Sequence, residues 1–265
     1  MIKSVSDYRK NKRKNKITIF VIQISILFCF LLSWELLAHF NIINDFLFSK
    51  PSSILSLFYE YLKNGILLDH LAISTFEALV ALFISTILGI FISILLFLSS
   101  SFMKVIDPYL TILNAIPKSA SGIIFIIWFG TSFKGIIAVS ISFSIIISII
   151  NCLSYFKSID HDYIKMAKVM GANRFQILKK IVLPSSLENI LSLIKVNIGL
   201  SWVGVVVGEF LVSKKGIGYL ILYGGQVFKM DLVMMGIFVL SFIALGMYKL
   251  MNLLQKLVKK FINHS

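Results

Sequence analysis

The chain has 265 residues, 58% of them hydrophobic and 14% charged, with a mean hydropathy of +0.91. A soluble domain carries roughly 25% charged residues, and a single core of this length could not hide so much apolar surface unless lipid were the outer solvent. The 26 Lys and Arg against 12 Asp and Glu give a net charge of +14; because the basic residues avoid the apolar runs and form no single stripe, they point away from a nucleic-acid interface. The two cysteines, Cys29 and Cys152, sit in apolar segments and read as small fillers rather than a disulfide framework or a metal site. His39, His70, His161 and His264 are scattered and match no metal-ligand spacing. Neither a cofactor nor a catalytic residue is expected in this chain.

Six apolar segments follow in chain order, at residues 17–40, 72–98, 109–129, 135–156, 187–211 and 232–254. Each is close to the ~20 residues that cross the hydrocarbon, and only a helix satisfies its own backbone there. The fold class predicted is therefore all-α and integral to the membrane, with about six transmembrane helices. Residues 1–16 form a basic arm, and 17–265 a single transmembrane domain. The first segment is too long for a signal-peptide core and has no small-x-small site after it, so it reads as a retained helix. Trp34 and Glu35 fall near its outer end, where belt aromatics gather. Glu77, at the start of the second segment, is expected to pair with another helix. The third segment holds Asn114, Pro117, Lys118, Ser119 and Ser121, and its first half is expected to be bent or buried in protein. Asp231 is expected to cap the sixth helix, and Gly216 and Gly218 to shape a turn before it.

Basic residues set the orientation. Lys3, Arg9, Lys10, Lys12, Arg13, Lys14 and Lys16 precede the first segment, and Lys104 follows the second. Lys157, Lys165, Lys168, Arg174, Lys179 and Lys180 lie between the fourth and fifth, with Lys249, Lys256, Lys259 and Lys260 at the end. The opposite side has only Lys50, Lys63, Lys134, Lys214, Lys215 and Lys229. The positive-inside rule puts both termini in the cytoplasm of a multi-pass protein of the cell membrane.

Residues 157–186 form the largest cytoplasmic connection and read as two short amphipathic helices. The first carries Tyr163, Ile164, Ala167 and Met170, with Lys165 and Lys168 turned away. Gly171 stops it, and Asn173 and Gln176 have capping-box spacing for the second. Phe175, Leu178 and Ile181 form the second stripe, and Pro184 is expected to limit its continuation. Such a pair of helices either lies on the lipid interface or docks in the groove of a soluble partner.

Gly171, nine residues, then Ile181, Val182, Leu183 and Pro184 resemble the "EAA" loop of ABC-importer permeases, whose pattern is E-A-A-x3-G-x9-I-x-L-P. Ala167 fits the second alanine; Lys165 stands where glutamate is usual. Leu113-Asn114-Ala115-Ile116-Pro117-Lys118, Ile127-Trp128-Phe129-Gly130, Ser201-Trp202, Val207-Gly208-Glu209-Phe210 and Gly216-Ile217-Gly218-Tyr219-Leu220 are similar to the nitrate/sulfonate/taurine branch. The resemblance covers most of residues 70–255. It implies a permease that works as a homodimer, two cytoplasmic ATPase subunits, and an extracytoplasmic binding protein. Lys165, Ala167, Gly171, Arg174, Phe175, Leu178, Ile181 and Pro184 would then couple to the ATPase. The implied substrate is a small anion or a pyrimidine vitamin precursor. There is no G-x-x-x-x-G-K-[ST], so ATP hydrolysis is expected in a partner. The rival from another class is an ion-coupled secondary transporter, which would often show inverted repeats; none is visible.

Lys195, Trp202 and Glu209 recur at seven-residue spacing on the fifth segment and share one face. Lys195 and Glu209 are about 21 Å apart at the helical rise, so they do not pair. Two readings stay open: the face lines the translocation path, or Lys195 and Glu209 reach the two interfaces and Trp202 packs. Asn114, Pro117 and Ser201 are the other path candidates. Asn197, Ser201, Gly204 and Gly208 form a second face whose small residues allow close helix approach.

Overall fold

Every regular element among residues 5–262, the residues described by the computed structural model, is a helix. Lys3, Ser4 and His264 lie outside the described residues, as do the side chains of Arg9, Lys10, Lys12, Arg13, Lys16, Lys259 and Lys260. In chain order the helices are α1 (Val5–His39), α2 (Asp45–Phe48), α3 (Pro51–Lys63), α4 (Ile66–Leu98), α5 (Ser100–Ala115), α6 (Lys118–Phe129) and α7 (Phe133–Lys157). They continue as α8 (His161–Val169), α9 (Arg174–Ile177), a π-helical turn at Leu178–Val182, α10 (Leu183–Val212), α11 (Ile217–Gln226) and α12 (Met230–Ile262). Five of the helical stretches are long and apolar enough to cross a membrane, or six if the bent pair α5–α6 is one crossing.

The centre is made by α4, α7 and α10, which meet through small residues. A Cβ added to Gly204 of α10 would lie 2.5 Å from the Cα of Ser140 on α7, and one added to Gly208 would lie 3.0 Å from Ile136. A Cβ on Gly89 of α4 would overlap Ser148 of α7. The seam is polar as well as small. Asn197 donates to Thr86 on α4 at 2.9 Å and accepts from Ser148 at 3.0 Å, and the Ser140 hydroxyl donates to the Ser201 carbonyl at 2.8 Å. Hydrocarbon gives no hydrophobic drive for helices to associate, so close packing and interhelical hydrogen bonds must supply it.

α3 and α11 are not visible as apolar segments in the sequence. α3 is amphipathic and too short to span; Ile54 and Leu57 bury against Leu67, Ile217, Leu232 and Met235. Its N-cap Lys50 makes no side-chain cap; Glu35 of α1 supplies one by accepting the Ser52 N–H at 3.0 Å, where the helix dipole favours an acid. Trp34 Nε1 donates to the Ser49 carbonyl at 3.2 Å. Asp231, expected as a cap, sits in the first turn of α12 and accepts the Ser49 hydroxyl at 2.6 Å, tying the α2–α3 corner to α12. Together these contacts fasten α1 at its C-terminal end. Its apolar stretch from Ile17 to Leu32 is otherwise exposed to the surroundings, Cys29 included.

The structure corrects one boundary. Pro184 does not limit the second short helix: Arg174 to Val212 is one continuous helical stretch. A proline ring inside an α-helix clashes with the carbonyl four residues back and removes a hydrogen bond. Here the preceding turn is widened, with the Leu183 N–H bonded to the Leu178 carbonyl five residues back, so the chain accommodates Pro184 without breaking.

Gly204→Val should lower the melting temperature of the detergent-purified protein, through an overpacking cost of about 1–3 kcal/mol. Gly199→Ala on the same helix meets nothing within 4 Å and should melt like the parent or slightly higher. Equal melting of the two variants would remove the seam as a source of stability.

Candidate functional sites

The segment between α7 and α10 is a helical hairpin. The Asp160 side chain accepts the Asp162 N–H at 2.9 Å to start α8. Its end is a Schellman closure: the Ala172 N–H bonds the Ala167 carbonyl at 2.9 Å and the Gly171 N–H the Lys168 carbonyl at 3.0 Å. Gly171 has φ +83, the left-handed region that a side chain strains. Asn173 and Gln176 then make a reciprocal capping box, both bonds 2.8 Å. These are the local features the spacing predicted.

Its faces are divided differently. Ala167, Ile177, Leu178 and Val182 bury against Cys152, Phe156 and Leu193 of the same chain. Ile164 and Ile181 are partly buried on that cluster. Of the two apolar stripes expected to meet lipid or a partner, Tyr163, Met170 and Phe175 do point outward with Lys165, Met166 and Val169, Val169 being 89% and Met170 79% exposed, but Ala167, Leu178 and Ile181 turn onto the bundle instead. The correction has a geometric cause. α8 lies against the ends of α7 and α10, and only Ile164 and Ala167, three residues apart, can face them. Arg174 donates from Nη1 to the Leu98 carbonyl at 3.1 Å, capping the end of α4. Lys165 pairs with Asp162 at 3.2 Å in an exposed contact. Pro184 is exposed.

The third segment breaks at residues 116–117, where α5 and α6 meet at 98°. Ile116 is extended, with ψ 130, the conformation that a following proline favours. Pro117 has no N–H to offer the Leu113 carbonyl; Lys118 Nζ donates to that carbonyl instead, at 2.5 Å. Asn114 and Pro117 are exposed at the corner. The segment is bent as expected, but α5 is mostly exposed rather than buried, with Leu110 its one buried residue. Pro117→Ala should let the helix run on. Spin labels at Thr111 and Ile127 should then move apart toward the about 24 Å of a straight helix, and an unchanged separation would place the cause of the bend elsewhere.

The remaining path candidates do not converge with Asn114 and Pro117. Lys195 Nζ donates to Asn252 and Gln255 of α12 and lies 5.6 Å from the Tyr248 ring centroid. Trp202 is buried, its Nε1 3.1 Å from Met247 Sδ. Glu209 has no exposed surface: it accepts from the Ser74 hydroxyl at 2.5 Å and from the N–H groups of Gly218 at 2.5 Å and Tyr219 at 3.3 Å. Thus the shared face of Lys195, Trp202 and Glu209 is turned into the chain's own packing against α12, α4 and α11. Trp202 packs, as the second reading has it, while Lys195 and Glu209 are held by groups on neighbouring helices. Ser201 is buried on the central seam, its hydroxyl without a partner. What the sequence did not show is the company of Glu209. Ser74, Glu77 and α11 come together there only in three dimensions, and the one available signal was two acids inside apolar helices.

The chain is an all-α bundle with membrane-length helices and a helical hairpin at one end, and the similarities give its family. The chain belongs to the binding-protein-dependent transport system inner membrane component family, matched over residues 85–264. A Bacillus subtilis protein named for aliphatic sulfonate transport is 28% identical over 233 residues, 87% of this chain and 83% of that one. The taurine transport permease of Escherichia coli is 27% identical over 219 residues, covering 80% and 78% of the two chains. Among solved structures, a bacterial ABC transporter that imports the acidic polysaccharide alginate superposes with TM-score 0.64 at 15% identity, over 94% of this chain and 98% of that one. The chain is therefore a multi-pass permease subunit of an ATP-binding-cassette importer. It is not itself an enzyme; ATP hydrolysis belongs to a separate subunit, and a substrate-binding partner completes the system.

Proposed function

We propose that two copies of this chain form the translocation path in the cell membrane, with both termini and the α8–α9 hairpin on the cytoplasmic side. The observation that carries the reading is the hairpin itself. Its inner face is fixed to α7 and α10, and its outer face leaves Met166, Val169, Met170 and Phe175 uncovered beside Lys165. An apolar helical face presented outside the lipid-spanning region suits the groove of a soluble partner, here one of two ATPase copies. Gly171 sets the angle of the hairpin; Arg174, Ala167, Leu178 and Ile181 hold it to the bundle; and Pro184 sits where the hairpin joins α10. Movement of an ATPase groove would then tilt α10 directly. The Asn114 and Pro117 corner is the best path candidate, since it is exposed and its backbone is already broken. Lys195, Trp202 and Glu209 would serve the path by holding the helices that tilt.

The substrate class follows from the relatives, which are named for sulfonates, taurine and a formylaminopyrimidine. A small anion or a pyrimidine precursor delivered by an extracytoplasmic binding protein is the reading they support. Calorimetric titration of that binding protein with taurine, alkanesulfonates, nitrate and pyrimidine precursors identifies it, and binding of none of them would remove the class.

Val169→Asp should reduce co-purification of the ATPase subunit and substrate-stimulated ATP hydrolysis without changing the melting temperature of the permease, because the new charge stays in water until the groove covers it. Ala167→Asp should lower the melting temperature as well, by about 1–3 kcal/mol or more, since its carboxylate is buried among the chain's own apolar side chains. Full ATPase retention and hydrolysis in Val169→Asp would make the hairpin an interfacial membrane element instead. In a background lacking Cys29 and Cys152, a cysteine at Asn173 should be labelled only from the cytoplasm and one at Asn64 only from outside. The reverse pattern would invert the topology.

A further inference from the structure

The carboxyl group of Glu209 faces a second carboxyl. Glu77 of α4 is 2% exposed, and its side chain is in hydrogen-bonding contact with that of Glu209. Its Oε2 has no partner. Glu209, by contrast, is ringed by donors: the Ser74 hydroxyl on Oε1, and the Gly218 and Tyr219 N–H groups on Oε2. The same corner is closed by the Gly216 N–H donating to His70 Nδ1 at 2.9 Å and the Ile217 N–H donating to Ser74 Oγ at 2.8 Å. Gly216, with φ +108, and Gly218 leave room for the carboxylate, since a Cβ at either position would overlap it.

Two ionised carboxylates have only acceptors and cannot hydrogen-bond each other; one of them must carry a proton or a cation must lie between them. Among the described residues neither makes an ion pair with Lys or Arg. His70 on α4 is engaged with Gly216, and Asp69 and Lys215 line an open recess beside it with Ile66. The donors decide which carboxyl is the acid. An oxygen pair that already accepts three hydrogen bonds is suited to be the anion, because each donor favours the charged form. Glu77 Oε2 receives no donor, and an apolar site favours a neutral acid that can donate.

We propose that Glu77 is a neutral carboxylic acid whose O–H donates to the Glu209 carboxylate, and that this ring of four donors latches α11 to α4 and α10. Both acids are positioning residues: they fix α11 at the end of the bundle opposite the hairpin. On the orientation proposed above, that is the outer mouth, where substrate enters. The latch keeps α11 with α4 and α10 as one body while the hairpin moves α10 from its other end.

The test uses the whole transporter, with its ATPase and binding protein, in lipid vesicles at neutral pH. Infrared spectroscopy should show a deuterium-sensitive band of a protonated carboxyl that disappears in Glu77→Gln. That variant should keep substrate-stimulated ATP hydrolysis within about twofold, because an amide N–H replaces the O–H as donor. Glu209→Gln turns an NH2 toward existing donors and should lose about tenfold or more of that activity while still co-purifying with the ATPase. If Glu209→Gln does not assemble, the band in Glu77→Gln decides alone. A band that persists in Glu77→Gln would overturn the assignment, as would a Glu77→Gln variant that fails to assemble or loses as much activity as Glu209→Gln. A sodium or potassium requirement that vanishes in Glu77→Gln would put a bound cation in place of the proton and also overturn it.

Discussion

Close approach of α4, α7 and α10 is the constraint on which the rest of the structure depends. Helices in lipid gain nothing from hiding apolar side chains from each other, because the solvent is as apolar as they are. What holds these three together is contact at backbone distance, made possible by Gly89, Gly204 and Gly208, and the hydrogen bonds that Asn197 and Ser140 make across it. A buried amide in this setting is costly when unpaired. Asn197 has partners on both neighbouring helices, so it specifies register as well as adding attraction. The surrounding elements are then placed by the ends of the three helices.

At one end the consequence is mechanical continuity. The hairpin is not a flexible loop: its closure at Gly171, its capping box and its cluster around Phe156 and Leu193 make it part of the bundle. The widened turn before Pro184 carries the helix from Arg174 to Val212 without a hinge. A proline there would ordinarily be a breaking point. Instead, displacement of the hairpin would have a rigid route into α10, as the coupling role proposed above requires. Arg174 adds a second attachment, to the end of α4.

The opposite end is held by polar contacts between segments far apart in sequence. Ser49 to Asp231, Glu35 to Ser52, and Ser74 and Gly218 to Glu209 each join two elements. Glu35 and Glu209 accept backbone N–H groups that would otherwise be unsatisfied at the N-termini of α3 and α11, while Asp231 accepts the Ser49 hydroxyl. At the α5–α6 corner the same logic holds with the charge reversed, where Lys118 donates to the carbonyl that Pro117 leaves without a partner.

The sequence by itself determined whatever depends on local pattern and solvent. Continuous apolar runs gave five long helices, because lipid allows no other unbroken backbone. Proline, glycine and the Asn173–Gln176 spacing marked the bend and the hairpin closure, because those effects act within a few residues. The family likeness, too, was legible in the hairpin motif and the segments around Asn114, Trp202 and Glu209. The tertiary structure alone decided which face of each helix meets which neighbour. α3 and α11 left no clear signal, since their burial depends on α12 and α4 rather than on a span of their own. Lys195, Trp202 and Glu209 share a face by periodicity, yet periodicity says nothing of what that face touches; α12 and the N-terminus of α11 fill it. Ala167 and Val169 look alike as small apolar residues of one short helix. Only the position of α8 against α7 and α10 buries the first and leaves the second uncovered, because contact between distant segments is a property of the folded chain and not of its local order.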